Sequence, residues 1–137
     1  MRKTLILLSA ILVPAILVPA VFGPVAAHAA APALQALADW QKGRWLPSMV
    51  GGRTGAPICL SDPEALLTGG RPRPGCEYSV IEDSSGQATV TYRCPGGRTG
   101  HTVLRRDAGN IYTVDAQGVD DGLPFGDRAE WRRIGNC

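Results

Sequence analysis

Four cysteines carry the clearest chemistry in this chain. Cys59, Cys76, Cys94 and Cys137 are even in number, and none forms the Cys-x-x-Cys spacing of zinc sites or thioredoxin-like redox sites. In a small exported domain this pattern predicts two disulfides. Four cysteines allow three pairings, and composition alone does not choose among them.

Few residues are suited to catalysis or metal binding. His101 is the only histidine after residue 29, and the chain has no Gly-x-Ser-x-Gly motif to supply a serine nucleophile. Asp115, Asp120 and Asp121 lack the alternating spacing of a calcium loop, so we expect a solvated loop there. The sequence predicts a protein that is not an enzyme and needs no cofactor or metal.

One pentapeptide occurs twice. Gly-Gly-Arg-Thr-Gly spans residues 51–55 and again residues 96–100. Glycine-rich loops that present backbone N–H groups beside an arginine can bind phosphate or carboxylate, so Arg53 and Arg98 are candidate anion-binding residues. The simpler interpretation, which we favour, is two turns of common composition.

The N-terminus has the layout of an export signal. Residues 1–29 contain 20 hydrophobic residues, two basic residues and no acidic residue, and they end in Ala-His-Ala. We predict cleavage after Ala29 and a periplasmic location. The alternative is a retained membrane anchor, but Pro14, Pro19 and Pro24 interrupt the apolar run. We therefore expect no stable membrane insertion.

The chain after the signal is small and neutral. Residues 30–137 contain 12 basic and 12 acidic residues, so no basic excess favours nucleic acid. A chain of this length forms one domain. We predict a signal peptide at residues 1–29 and a single disulfide-bonded, β-rich domain at residues 30–137.

The pattern around residue 85 selects the disulfide pairing. Residues 76–94 alternate on both sides of a polar turn, as a β-hairpin does. With the turn centred on Ser85, Cys76 lies opposite Cys94. The same register makes three further pairs: Tyr78 with Tyr92, Val80 with Val90, and Glu77 with Arg93. We therefore predict a Cys76–Cys94 disulfide and, by elimination, a Cys59–Cys137 disulfide.

Further strands follow. Residues 102–106 and 110–114 flank a three-residue loop, and a register centred on this loop places Leu104 opposite Tyr112. Residues 128–134 predict a last strand, on which Trp131 shares a face with Ala129. If the sheet curls, Trp131 lines a small apolar pocket.

The remaining elements precede the first hairpin. Residues 43–50 predict a strand that Pro47 restricts to an edge or breaks. Residues 61–64 predict a capping box, with Ser61 as N-cap, for a helix of about two turns that ends at Gly69. Residues 32–41 predict a second short helix, and residues 71–75 an extended connector. The tryptophans are core candidates: Trp40, Trp45 and Trp131.

The order of these features resembles a known family. An early Gly-x-Trp at residues 43–45, the four cysteines in this order, Tyr-x-Cys at residues 92–94 and a closing Gly-Asn-Cys resemble the small exported Gram-negative proteins filed as domain of unknown function 3617. The resemblance covers nearly all of residues 30–137. Arg44 and Leu46 depart from the family's usual Gly-Leu-Trp-Glu. The resemblance implies a periplasmic, disulfide-bonded domain and brings no activity with it.

Together these patterns predict a mainly β fold: an antiparallel β-meander curled toward an open barrel, with one or two short helices and two disulfides. The predicted function is a non-catalytic binding or interaction module of the cell envelope, whose partner is an envelope protein or a small ligand. Two alternatives remain: an inhibitor of a host hydrolase such as lysozyme, and a carrier of a small apolar ligand.

Overall fold

One antiparallel sheet of seven strands forms the protein, which a computed structural model describes over residues 30–137. The predicted export signal lies outside the described residues. The strands are β1 (Gly43–Met49), β2 (Ile58–Leu60), β3 (Glu77–Asp83), β4 (Gln87–Arg93), β5 (Thr99–Ala108), β6 (Ile111–Asp120) and β7 (Leu123–Gly135). Their order is β2-β1-β7-β6-β5-β4-β3. Strands β3 to β7 form a meander, β1 returns to pair with β7, and β2 and β3 are the open edges. The predicted fold class is confirmed.

The two faces of the sheet differ in burial. The inner face carries alternate residues of each central strand and is covered by two short helices, a 3₁₀ helix (Gln35–Leu37) and α1 (Glu64–Leu67). Its buried side chains include Val90, Leu104, Tyr112, Val114, Trp131 and Trp45. The outer face is mostly polar. This alternation follows from the period-two geometry of strands when one face meets the core.

The β3–β4 hairpin has the predicted register near the cysteines. Tyr78 lies opposite Tyr92, and Glu77 lies opposite Arg93. Both predicted disulfides, Cys76–Cys94 and Cys59–Cys137, are present. The register shifts after Val80, where a bulge adds one residue next to the turn.

The predicted register of the β5–β6 hairpin is wrong by two residues. Leu104 lies opposite Val114, not Tyr112, because the turn is tighter than expected and sits at residues 109–110. A bulge between Arg106 and Ala108 then shifts the pairing of the two strands by one residue. Since the error is an even number of residues, each side chain still lies on its predicted face.

Pro47 does not place β1 at an edge, which corrects the prediction. Strand β1 lies between β2 and β7, and Pro47 pairs with Trp131 of β7. On its other side, the β1–β2 pairing ends at Trp45 opposite Ile58. Pro47 therefore lies where the β2 ladder has already stopped, and its missing N–H removes no bond from that ladder.

The predicted helices are shorter than expected. Helix α1 is a single turn whose N-cap residue is Pro63, and the Ser61 capping box is not formed. Instead, the Asp62 carboxylate accepts a hydrogen bond from the Glu64 N–H (3.0 Å). Only residues 35–37 of the predicted first helix are helical. Within residues 30–137, no helix has the length and hydropathy that a membrane crossing requires.

Candidate binding site

Arg98 is a structural residue of the core. Its side chain is 1% exposed, and its guanidinium donates to the carbonyl oxygens of Arg71 (2.7 Å) and Thr68 (3.0 Å). It also lies between the rings of Tyr92 and Phe125, with centroid distances of 5.9 and 5.6 Å. Arg98 therefore holds the segment that follows α1 against the inner face of the sheet.

The two candidate anion-binding arginines do not form one site. Arg53 lies in an exposed turn between β1 and β2, whereas Arg98 is enclosed between β4 and β5. Strands β7 and β6 separate these two parts of the sheet. Because Arg98 already bonds two carbonyls and lies 3.7 Å from the Asp120 carboxylate, it offers no open face to an anion.

Side chains of β3 and β5 hold both ends of α1. At its C-terminal end, the Thr102 hydroxyl donates to the carbonyl of Leu67 (2.8 Å), which the helix leaves without a partner of its own. At its N-terminal end, the Tyr78 hydroxyl donates to Glu64 (2.8 Å). Burial, and then this hydrogen bond, raise the pKa of Tyr78 far above its ordinary value. Helix α1 is thus held firmly over β5 and β6.

Helix α1 and the connector leave part of the inner face open. A cleft of about 260 Å³ remains between residues 69–71 and strands β1, β2, β6 and β7. Its apolar side chains are Pro47, Met49, Ile58, Val114, Ala129 and Trp131. The predicted pocket beside Trp131 is therefore present, and it is formed by residues from five separate segments.

Glycine shapes one wall of the cleft. Gly70 has a φ of +79°, and a Cβ there would lie 3.0 Å from the Trp131 ring. A side chain at this position would be strained and would press on the indole. Gly70 therefore lets the connector pack on the Trp131 ring, which is 3% exposed and lines the cleft with its remaining surface.

An ion pair lies in the wall of the cleft. Arg71 and Asp127 both line it, and the Arg71 Nη2 donates to Asp127 Oδ2 (2.9 Å). The Arg71 guanidinium also lies 5.0 Å from the Phe125 ring centroid. Both charged side chains remain partly solvated, with 44% and 30% of their surfaces exposed. The cleft thus joins an apolar interior to a fixed pair of opposite charges.

Two further apolar side chains of the cleft are partly exposed to solvent. Met49 is 38% exposed and Ile58 is 40% exposed, and both project from the hairpin that forms the outer wall. Apolar side chains that line a concave surface and stay in water are typical of binding sites. The sequence offered no signal for Met49, Ile58, Arg71 or Asp127, because only the folded sheet brings them together.

A second cavity, of about 440 Å³, lies beside the Cys59–Cys137 disulfide. Its walls come mainly from exposed residues at the ends of β1, β2 and β7, including Lys42, Ser61 and Asn136. It contains neither an aromatic ring nor an ion pair. We therefore regard the smaller cleft beside Trp131 as the better candidate site.

The other residues considered for catalysis or metal binding do not converge. His101 lies on the outer face of β5, opposite to the buried Thr102, and Asp120 pairs with Arg73 (3.1 Å). Asp115 is exposed on β6. Among residues 30–137, no three His, Cys, Asp or Glu side chains are grouped closely enough to hold a metal ion.

In comparisons with known proteins, no family model, curated protein or solved structure matches the chain.

Proposed function

We propose that this protein is a non-catalytic binding module of the periplasm that takes a small apolar ligand, or an apolar group of a larger one, into the cleft beside Trp131. The observation that carries the proposal is a largely apolar cleft that leaves part of the inner face open beside an ion pair. Gly69 and Gly70 both have positive φ, and a Cβ at either would lie 2.9 or 3.0 Å from a side chain of the sheet, so this segment passes close to the inner face beside the cleft.

The two disulfides support the location. They indicate that the domain folds in an oxidising compartment, and the predicted export signal and the family resemblance both favour the periplasm. A module that works outside the cytoplasm gains stability from these cross-links, because a domain of this size has a small core.

The proposal is tested with the fluorescent probe 1-anilinonaphthalene-8-sulfonate, which brightens in apolar sites. We expect the folded protein to bind the probe and Ile58→Glu to abolish binding, because a carboxylate in the cleft wall is incompatible with an apolar ligand. Ile134→Glu is the matched control: Ile134 is 45% exposed, against 40% for Ile58, and lies outside the cleft. Equal probe fluorescence in both variants would refute the assignment of the cleft.

A further inference from the structure

The charged and apolar parts of the cleft match one kind of ligand. We infer that the cleft binds a free apolar amino acid in its zwitterionic form, with the carboxylate on Arg71, the ammonium on Asp127 and the side chain against Trp131. This inference rests on the proposed function, because it names the ligand of the same cleft.

The volume of the cleft sets the size of the ligand. An apolar cavity of roughly 150 Å³ holds a benzene ring, and sites for drug-sized ligands start near 300 Å³. At about 260 Å³, the cleft accommodates one aromatic or branched aliphatic side chain together with its α-carbon. A long acyl chain or a polycyclic ligand would insert only one apolar group and leave the rest in solvent.

The ion pair sets the charge of the ligand. A ligand with only a carboxylate would meet repulsion from Asp127, and a ligand with only an ammonium would meet repulsion from Arg71. A zwitterion satisfies both groups and leaves their own 2.9 Å bond in place. Within residues 30–137, Asp127 Oδ1 accepts no hydrogen bond and Arg71 donates only through Nη2, so both groups retain free bonding positions.

The protein holds the ion pair ready for this role. The backbone of Arg71 is fixed because its carbonyl accepts a 2.7 Å hydrogen bond from the buried Arg98. Its guanidinium is further oriented by the Phe125 ring and by Asp127. A charged group that is already oriented loses less conformational freedom when it binds a ligand, which favours affinity.

The test is a calorimetric titration with L-phenylalanine, phenethylamine, 3-phenylpropionate and glycine. Phenethylamine lacks the carboxylate, 3-phenylpropionate lacks the ammonium, and glycine lacks the apolar side chain. We expect L-phenylalanine to bind at least about tenfold more tightly than each of the others. Each analogue with one charge loses a charge-assisted bond, which costs roughly tenfold to a hundredfold in affinity. Glycine keeps both bonds but loses the burial of an aromatic side chain, which also costs roughly tenfold to a hundredfold. The indole N–H resonance of Trp131 should shift during the same titration.

Variants of the two charged residues complete the test. Arg71→Gln and Asp127→Asn should each weaken L-phenylalanine binding by at least about tenfold. Arg73→Gln is the matched control, because Arg73 belongs to the same connector, is 42% exposed against 44% for Arg71, and lies outside the cleft. Amide spectra with the dispersion of the native protein show that each variant is folded.

The inference is overturned if L-phenylalanine does not bind, if a singly charged analogue binds as tightly, or if Arg73→Gln weakens binding as much as Arg71→Gln. Failure of the inference is distinct from failure of the proposed function. A protein that binds the fluorescent probe in the cleft but not L-phenylalanine keeps the function and loses the amino-acid assignment.

Discussion

Replacing Arg98 with methionine should destabilise the protein strongly, whereas the same change at Arg53 should have little effect. Both arginines belong to a Gly-Gly-Arg-Thr-Gly segment, so their immediate neighbours in the chain are identical. They differ in burial: the Arg98 side chain is 1% exposed, and Arg53 is exposed. The difference in stability between the two variants therefore reports the effect of the tertiary environment of each arginine.

The magnitude follows from the bonds that Arg98 makes. Methionine has a similar length and fills much of the space, but it leaves the carbonyls of Thr68 and Arg71 without their donors. Hydrogen bonds to a charged group contribute about 1.5 to 3 kcal/mol each. Since methionine also removes a buried charge and its desolvation cost, we expect a loss of about 3 kcal/mol, at the lower end of the sum. Arg53→Met should stay within about 0.5 kcal/mol.

Urea unfolding with both disulfides intact, followed by tryptophan fluorescence, measures the difference. For a small domain with a urea dependence of about 1 to 3 kcal/mol per molar, Arg98→Met should lower the midpoint by about 1 to 3 M. Arg98→Lys should recover only part of the loss, because one ammonium cannot reproduce the planar fork that spans both carbonyls. Equal midpoints for Arg98→Met and Arg53→Met would refute the role assigned to Arg98.

Three further predictions use other parts of the fold. Limiting dithiothreitol followed by alkylation and peptide mass mapping should find Cys59 and Cys137 modified first, because that disulfide is exposed and the other is buried; the reverse order would contradict this. Gly100→Ala should cost about 1 to 3 kcal/mol in thermal unfolding, since a Cβ would lie 2.3 Å from the Tyr92 ring, whereas Gly126→Ala, with no atom within 4 Å, should be neutral. Burial raises the pKa of all three tyrosines above 10.0, so an unfolded tyrosine loses its proton at a pH where the folded one keeps it, and stability should fall as the pH rises above about 10. Tyrosinate absorbance should then appear together with unfolding, and ionisation without unfolding would contradict the burial.

Much of the fold could be predicted because its contacts are local in sequence. In the β3–β4 hairpin, the position of the turn determines which residues face each other, so the opposition of Cys76 and Cys94 follows from a pattern of about 20 residues. The same reasoning found the faces of β5 and β6 and failed on their register, because a bulge and a tighter turn leave the alternation of side chains unchanged.

Contacts between distant segments were not predictable in the same way. Nothing near Pro47 in the chain indicates that β1 lies between β2 and β7, because its partner on β7 is more than 80 residues away. The helix cap was misassigned for a similar reason. Glu64 bonds to Tyr78 of β3 and not to the residue that a capping box provides.

The sequence by itself determined the class of fold, both disulfides and the division of the strands into an inner and an outer face, since period-two alternation and turn residues act over short distances. Only the tertiary structure decided that Arg98 is buried and Arg53 is exposed within identical pentapeptides. It also decided that Arg71, Asp127, Ile58 and Trp131 share one cleft. Burial and binding sites depend on which segments the folded sheet brings together, and that arrangement is a property of the whole chain.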